Sequence, residues 1–142
     1  QHMFEGCTSL TSAPELPATY LVTECYHSMF NGCTSLTSAP KLPATTLEWG
    51  CYSEMFQGCT SLTSAPELPA KELIRNCYQL MFKDCSKLRY VKALFTTGPS
   101  EETTKDWLSG VAASGTFVKS KNATWNVTGV HGIPKGWKIE TR

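Results

Sequence analysis

By type, the seven cysteines are the residues of this chain best suited to chemistry. Their number is odd, so a complete set of intrachain disulfides is impossible. They fall into two series, Cys7, Cys33, Cys59 and Cys85, and Cys25, Cys51 and Cys77. No CxxC pair occurs and no ordered histidine accompanies either series, so zinc-ligand spacing is absent. A cysteine nucleophile needs a neighbouring base. His2, His27 and His131 are the three histidines, and none is spaced to pair with a thiol, so they read as solvent-exposed. Glycoside hydrolysis needs two facing carboxylates, but Glu15 and Glu67 share one series with Lys41 between them, which reads as a solvated face. Asp84 and Asp106 are the sole aspartates, too few for a calcium loop. The expectation is therefore no enzyme, no cofactor and no metal. Reduced, packed thiols are the favoured state, because a free cysteine buries as a small hydrophobe. A disulfide between neighbouring repeats or a metal site stays open.

Aromatic residues offer a better route to binding. Tyr26, Tyr52 and Tyr78 each stand one residue after a cysteine, where a ring can pack and keep its hydroxyl in water. Trp49 and Arg75 occupy, in successive repeats, a position that is Thr23 in the repeat before them. An unrepeated tryptophan is not needed for packing between repeats. Trp49, Arg75, Tyr26, Tyr52 and Tyr78 are therefore the candidate ligand contacts. Trp107, Trp125 and Trp137 read as core residues of the C-terminal segment, with a sugar-stacking platform as the sharper alternative.

What must position these residues is a repeat. Met3-Phe4, Met29-Phe30, Met55-Phe56 and Met81-Phe82 recur at 26-residue intervals, as do both cysteine series and Leu10, Leu36, Leu62 and Leu88. One unit reads C-Y-x-x-M-F-x-G-C-T-S-L-T-S-A-P-x-L-P-A-x-x-L. Repeats of this length stack and bury a shared interior, so invariant apolar positions should face inward. Glu15/Lys41/Glu67, His27/Ser53/Gln79 and Thr23/Trp49/Arg75 vary and should face solvent. The spacing of Cys25, Met29, Phe30 and Cys33 predicts a short helix over Cys25–Asn31 closed by Gly32. Leu36–Ala39 predicts a strand stopped by Pro40 and Pro43. The expected fold is an α/β solenoid, a leucine-rich-repeat-like stack of 26-residue coils, each a short helix plus a short parallel strand. Its first coil is truncated, since Gln1-His2-Met3-Phe4 enters the unit mid-helix.

The solenoid should cover residues 1–95. Beyond Phe95 the register is lost, and 96–142 is expected to be a small α+β cap, which a stack needs over its last apolar layer. Ser100 could cap a helix over Glu101–Val111, while Thr116–Lys119 and Trp137–Glu140 read as strands separated by a turn at Gly132–Gly136. The net charge of +1 argues against a nucleic-acid partner. No apolar run approaches the ~20 residues of a membrane-spanning helix.

The core F-x-G-C-x-x-L-x-x-x-x-x-L-P, at Phe30–Pro43 and Phe56–Pro69, resembles the BspA-like leucine-rich repeats of bacterial surface proteins. The ending F-V-K-S-K…G-V-H-G-I-P-K-G-W-K-I at Phe117–Ile139 resembles the tails that follow such repeats. The resemblance implies a curved right-handed solenoid, a cell-surface or secreted location, adhesion to a host or bacterial surface protein or glycan, and no catalytic residue. The 26-residue unit, with an extra Ala-Pro before Leu-Pro, departs from the usual pattern. Asn122-Ala123-Thr124 and Asn126-Val127-Thr128 match the glycosylation sequon, which the bacterial source implied by the resemblance leaves without a role. A surface-exposed binding module is the leading expectation, a structural spacer or stalk the alternative. Self-association through the uncapped first coil is a further possibility.

Overall fold

A computed structural model describes residues 2–142; the placement of Gln1 in the first repeat lies outside them. The expected helices do not form: among the described residues there is no helix, so the chain is not an α/β solenoid of leucine-rich-repeat-like helix–strand coils. The reason lies in where the amides donate. In an α-helix every amide bonds to the carbonyl four residues back. Here the amides alternate. His27, Met29, Asn31 and Cys33 donate to carbonyls three residues back, at Glu24, Tyr26, Ser28 and Phe30. Glu24, Tyr26, Ser28, Phe30 and Gly32 donate instead to Trp49, Cys51, Ser53, Met55 and Gln57 in the next repeat, at 2.8–3.0 Å. Residues 22–33 thus form a ribbon of overlapping β-turns, zipped edge-on to its successor.

The ribbon needs a left-handed residue in every second turn. Glu24, Ser28 and Gly32 take φ of 52°, 54° and 75°, and Gly50, Glu54 and Gly58 repeat the pattern with 60°, 56° and 75°. Such a conformation costs a non-glycine residue roughly 1–2 kcal/mol. The interlayer hydrogen bonds and the packing beneath them offset that cost. Gly32, expected to end a helix, instead supplies one of these turns.

The interior is a column of repeated side chains. Phe4, Phe30, Phe56 and Phe82 stack with ring centroids 5.5–5.6 Å apart and planes within 8°. Phe30, Phe56 and Phe82 are fully buried, as are Leu36, Leu62 and Leu88. The Cys33, Cys59 and Cys85 thiols are buried too, and each donates to the carbonyl of the phenylalanine 29 residues earlier, at 3.0–3.1 Å.

Strands appear late in the chain. The Leu36–Ala39 strand expected in each repeat is reduced to isolated parallel bridges, Ser12 to Ser38 and Ser64 to Tyr90. Pro14, Pro40 and Pro66 lack the amide a ladder needs. In the fourth repeat Lys92 replaces that proline, and there a strand forms, β1, Tyr90–Ala93. It pairs in parallel with β2, Thr116–Lys119, which pairs in parallel with β3, Lys138–Thr141. β2 lies where the sequence placed a strand, and β3 begins one residue later than expected. Among the described residues no helix is long and apolar enough to cross a membrane.

The hydrogen-bond register does not stop at Phe95. Tyr78, Leu80, Phe82 and Asp84 donate to Thr103, Lys105, Trp107 and Ser109, continuing the ribbon through the segment expected as a helix over 101–111. Trp107-Leu108 stands 26 residues after Met81-Phe82. Both side chains are buried, and the Trp107 ring stacks on Tyr78 at 5.7 Å. A glycine is required opposite Asp84: a Cβ on Gly110 would lie 2.6 Å from the Asp84 Oδ1. Trp107, Trp125 and Trp137 are buried, and each Nε1 donates to a backbone carbonyl, at Gly132, Phe95 and Ala112.

Candidate binding face

The turn ribbon of each repeat is entered through a short segment, residues 19–23, 45–49 and 71–75 in successive layers. One leucine in each faces inward: Leu21 and Leu47 are buried and Leu73 packs against the core. Its neighbours are thereby turned outward. Tyr20 is 94% exposed and Trp49 40%, and Val22 and Ile74 are exposed beside them. These four are a majority of the seven large hydrophobic residues exposed among the described residues. They fall within four equivalent positions of a 26-residue unit, so stacking brings them to one face. Arg75 is exposed on the same face, in the row of Thr23 and Trp49.

Two depressions lie along this face. One, of about 330 Å³, is lined by Thr19, Tyr20, Leu21, Thr45, Thr46 and Glu48. The other, of about 460 Å³, runs from Thr45 and Thr46 to Lys71, Glu72 and Ile74. They share Thr45-Thr46, which forms a saddle between them. A second pair, of about 510 and 560 Å³, follows the proline edge past Pro14, Pro40, Pro43 and Pro66. Its charged row Glu15, Lys41, Glu67 alternates in sign along the stack, and Lys92 holds Glu67 at 3.1 Å. That edge neutralises itself.

The structure places Trp49 and Arg75 together on the exposed face and separates the tyrosines from them. Tyr26 is half-buried, Tyr52 is 2% exposed and Tyr78 is fully buried. The three rings stack 6.0–6.1 Å apart as a second interior column beside the phenylalanines. Burial is the main cause that pushes all three hydroxyls above the usual tyrosine range, most strongly at Tyr78. The expected wet hydroxyls are therefore dry at Tyr52 and Tyr78. Tyr20, Val22 and Ile74 were legible by the same signal as Trp49, an unrepeated apolar side chain at a variable position.

The other reactive groups are committed to packing. All seven cysteines remain thiols. Burial pushes Cys51, Cys77 and Cys85 up to about 12 and raises Cys59 further. A thiol held protonated is a poor nucleophile and a poor metal ligand. Among the described residues no three His, Cys, Asp or Glu side chains converge in a way that could hold a metal ion. His27 lies partly buried between Glu24 and Glu54, its Nε2 3.5 Å from the Glu54 carboxylate. The His131 Nδ1 accepts the Asp106 amide at 3.0 Å, so this histidine is built into the C-terminal segment rather than free in solvent. Compared with known protein families, curated proteins and solved structures, the chain matches none.

Proposed function

We propose that the chain is a non-catalytic binding module of a cell-surface or secreted protein, offering one face of its stack to a protein or glycan partner. The observation that carries this reading is the gathering of Tyr20, Val22, Trp49 and Ile74 on a single exposed face. Exposed apolar side chains scattered singly are ordinary, whereas a contiguous group rimmed by polar residues marks an interaction site. Tyrosine, tryptophan and arginine are also the side chains that dominate binding energetics. A stalk that only holds another domain away from a surface has no use for such a group. The resemblance of the repeat to those of bacterial surface proteins supports the location and rests on the motif alone.

The test is a screen of the chain against extracellular-matrix proteins and a glycan array, with Trp49→Ala alongside. Specific binding weakened roughly tenfold or more by Trp49→Ala supports the reading, a loss typical of an interface hot spot. No specific ligand in either screen leaves the chain a structural spacer. Binding indifferent to Trp49→Ala removes that residue from the site.

A further inference from the structure

We infer that the two depressions joined at Thr45-Thr46 are consecutive subsites for a neutral, linear glycan lying along the stack axis. This rests on the binding-module reading and names its ligand class.

The lining decides between a protein and a sugar. The core of a protein-binding patch is depleted in charged residues. Here hydroxyls and carboxylates line both depressions beside Leu21, Leu47, Pro69 and Ile74: Thr19, Thr45 and Thr46 with Glu48 on one side, Glu72 on the other. None of these five side chains has a hydrogen-bond or ion-pair partner within the chain among the described residues. A threonine hydroxyl both donates and accepts, and a carboxylate accepts twice over. That inventory suits a polyol, whose every hydroxyl needs a partner of one kind or the other. The Tyr20 ring, almost wholly exposed at the mouth of the first depression, supplies the flat apolar surface on which the C–H face of a pyranose packs.

The geometry fits a chain of sugars. The two depressions are equivalent places in adjacent layers, and the layers are 5.5–6.1 Å apart as measured by their stacked rings. A pyranose unit in an extended oligosaccharide advances by a similar distance, so consecutive sugars can meet consecutive layers. The charges select further. Glu48 and Glu72 face the groove and Lys71 stands at its far end. Two carboxylates disfavour sulfated or sialylated sugars and accept from neutral ones.

The experiment titrates the whole chain with cellotriose, chitotriose and maltotriose, and with a heparin-derived oligosaccharide, by NMR chemical-shift perturbation. The expected result is saturable binding of at least one neutral trisaccharide, with shifts centred on Tyr20, Thr45 and Thr46, and none for the anionic probe. Tyr20→Ala should weaken binding roughly tenfold and the Thr45→Val/Thr46→Val pair at least as much, as for loss of a stacking or hydrogen-bonding anchor. All three side chains are exposed, so the variants should keep the wild-type melting temperature. Tighter binding of the anionic probe overturns the inference, as does neutral-sugar binding unaffected by Tyr20→Ala. If no trisaccharide binds while a matrix protein does, the glycan assignment falls and the binding-module reading stands. If nothing binds in any format, both fall.

Discussion

At Tyr78 the fold buries a hydroxyl that finds no hydrogen-bond partner among the described residues. Its ring is fully used, stacked between Tyr52 and Trp107. An unpaired buried polar group costs about 1–3 kcal/mol, so Tyr78→Phe should leave stability unchanged or raise it by about 1 kcal/mol. Urea denaturation checks this; a clear loss would mean the hydroxyl has a partner. The buried thiols give a second residue-level expectation. Cys51, Cys77 and Cys85 titrate at about 12 in the folded chain, and near 8.5 when unfolded. Their contribution to stability is complete below the unfolded value and is lost as pH rises towards the folded one. Across that window each such thiol should cost about 1.4 kcal/mol per pH unit. A stability profile flat from pH 8.5 to 11 contradicts the burial. Why the tyrosines misled is a matter of physical ambiguity. A tyrosine invariant across repeats suits a half-wet surface as well as a dry column, and only the position of the next layer decides. Trp49 carried no such ambiguity, because a residue that differs in every repeat cannot be needed by the stack.

The turn ribbon explains why a helix is the natural but mistaken reading of Cys25, Met29, Phe30 and Cys33. Left-handed residues at Glu24, Ser28 and Gly32 recur every four positions, so the ribbon returns to its inner face with nearly the period of a helix. Side-chain periodicity reports which face is buried and is silent on whether an amide bonds backwards or sideways. Gly32, Asn76 and Asp84, residues that tolerate positive φ, were the available hint. The strands failed for a plainer reason: Pro40 and Pro43 remove donors, and a ladder forms only once Lys92 replaces a proline. Because a layer is held by its neighbours, damage to one should spread. Phe56→Ala should cost roughly 3–5 kcal/mol. It should also speed hydrogen exchange at the Phe30 and Gly32 amides, which donate to the layer Phe56 supports. Exchange accelerated only at residues adjacent in sequence would mean the layers are independent.

Over the whole molecule, one interior runs from Phe4 through Tyr78 and Trp107 to Phe117 and Ile133. The sequence hid its last part because tryptophan replaces methionine at Trp107 and threonine replaces tyrosine at Thr104, so identity fails while the 26-residue spacing of buried positions persists. A shared interior predicts one unfolding transition. Fluorescence from the buried Trp107, Trp125 and Trp137, all beyond residue 95, and near-ultraviolet dichroism from the stacked Tyr26, Tyr52 and Tyr78 should melt together. Two separated transitions would divide the molecule near Phe95. The fold stands on alternate amides donating to the next repeat. Through-hydrogen-bond NMR coupling reads the partner of each amide directly. A correlation is expected from the Phe30 amide nitrogen to the Met55 carbonyl carbon, with matching pairs from Tyr26 to Cys51 and Phe56 to Met81. A correlation from Phe30 to Tyr26, four residues back as in a helix, would contradict it.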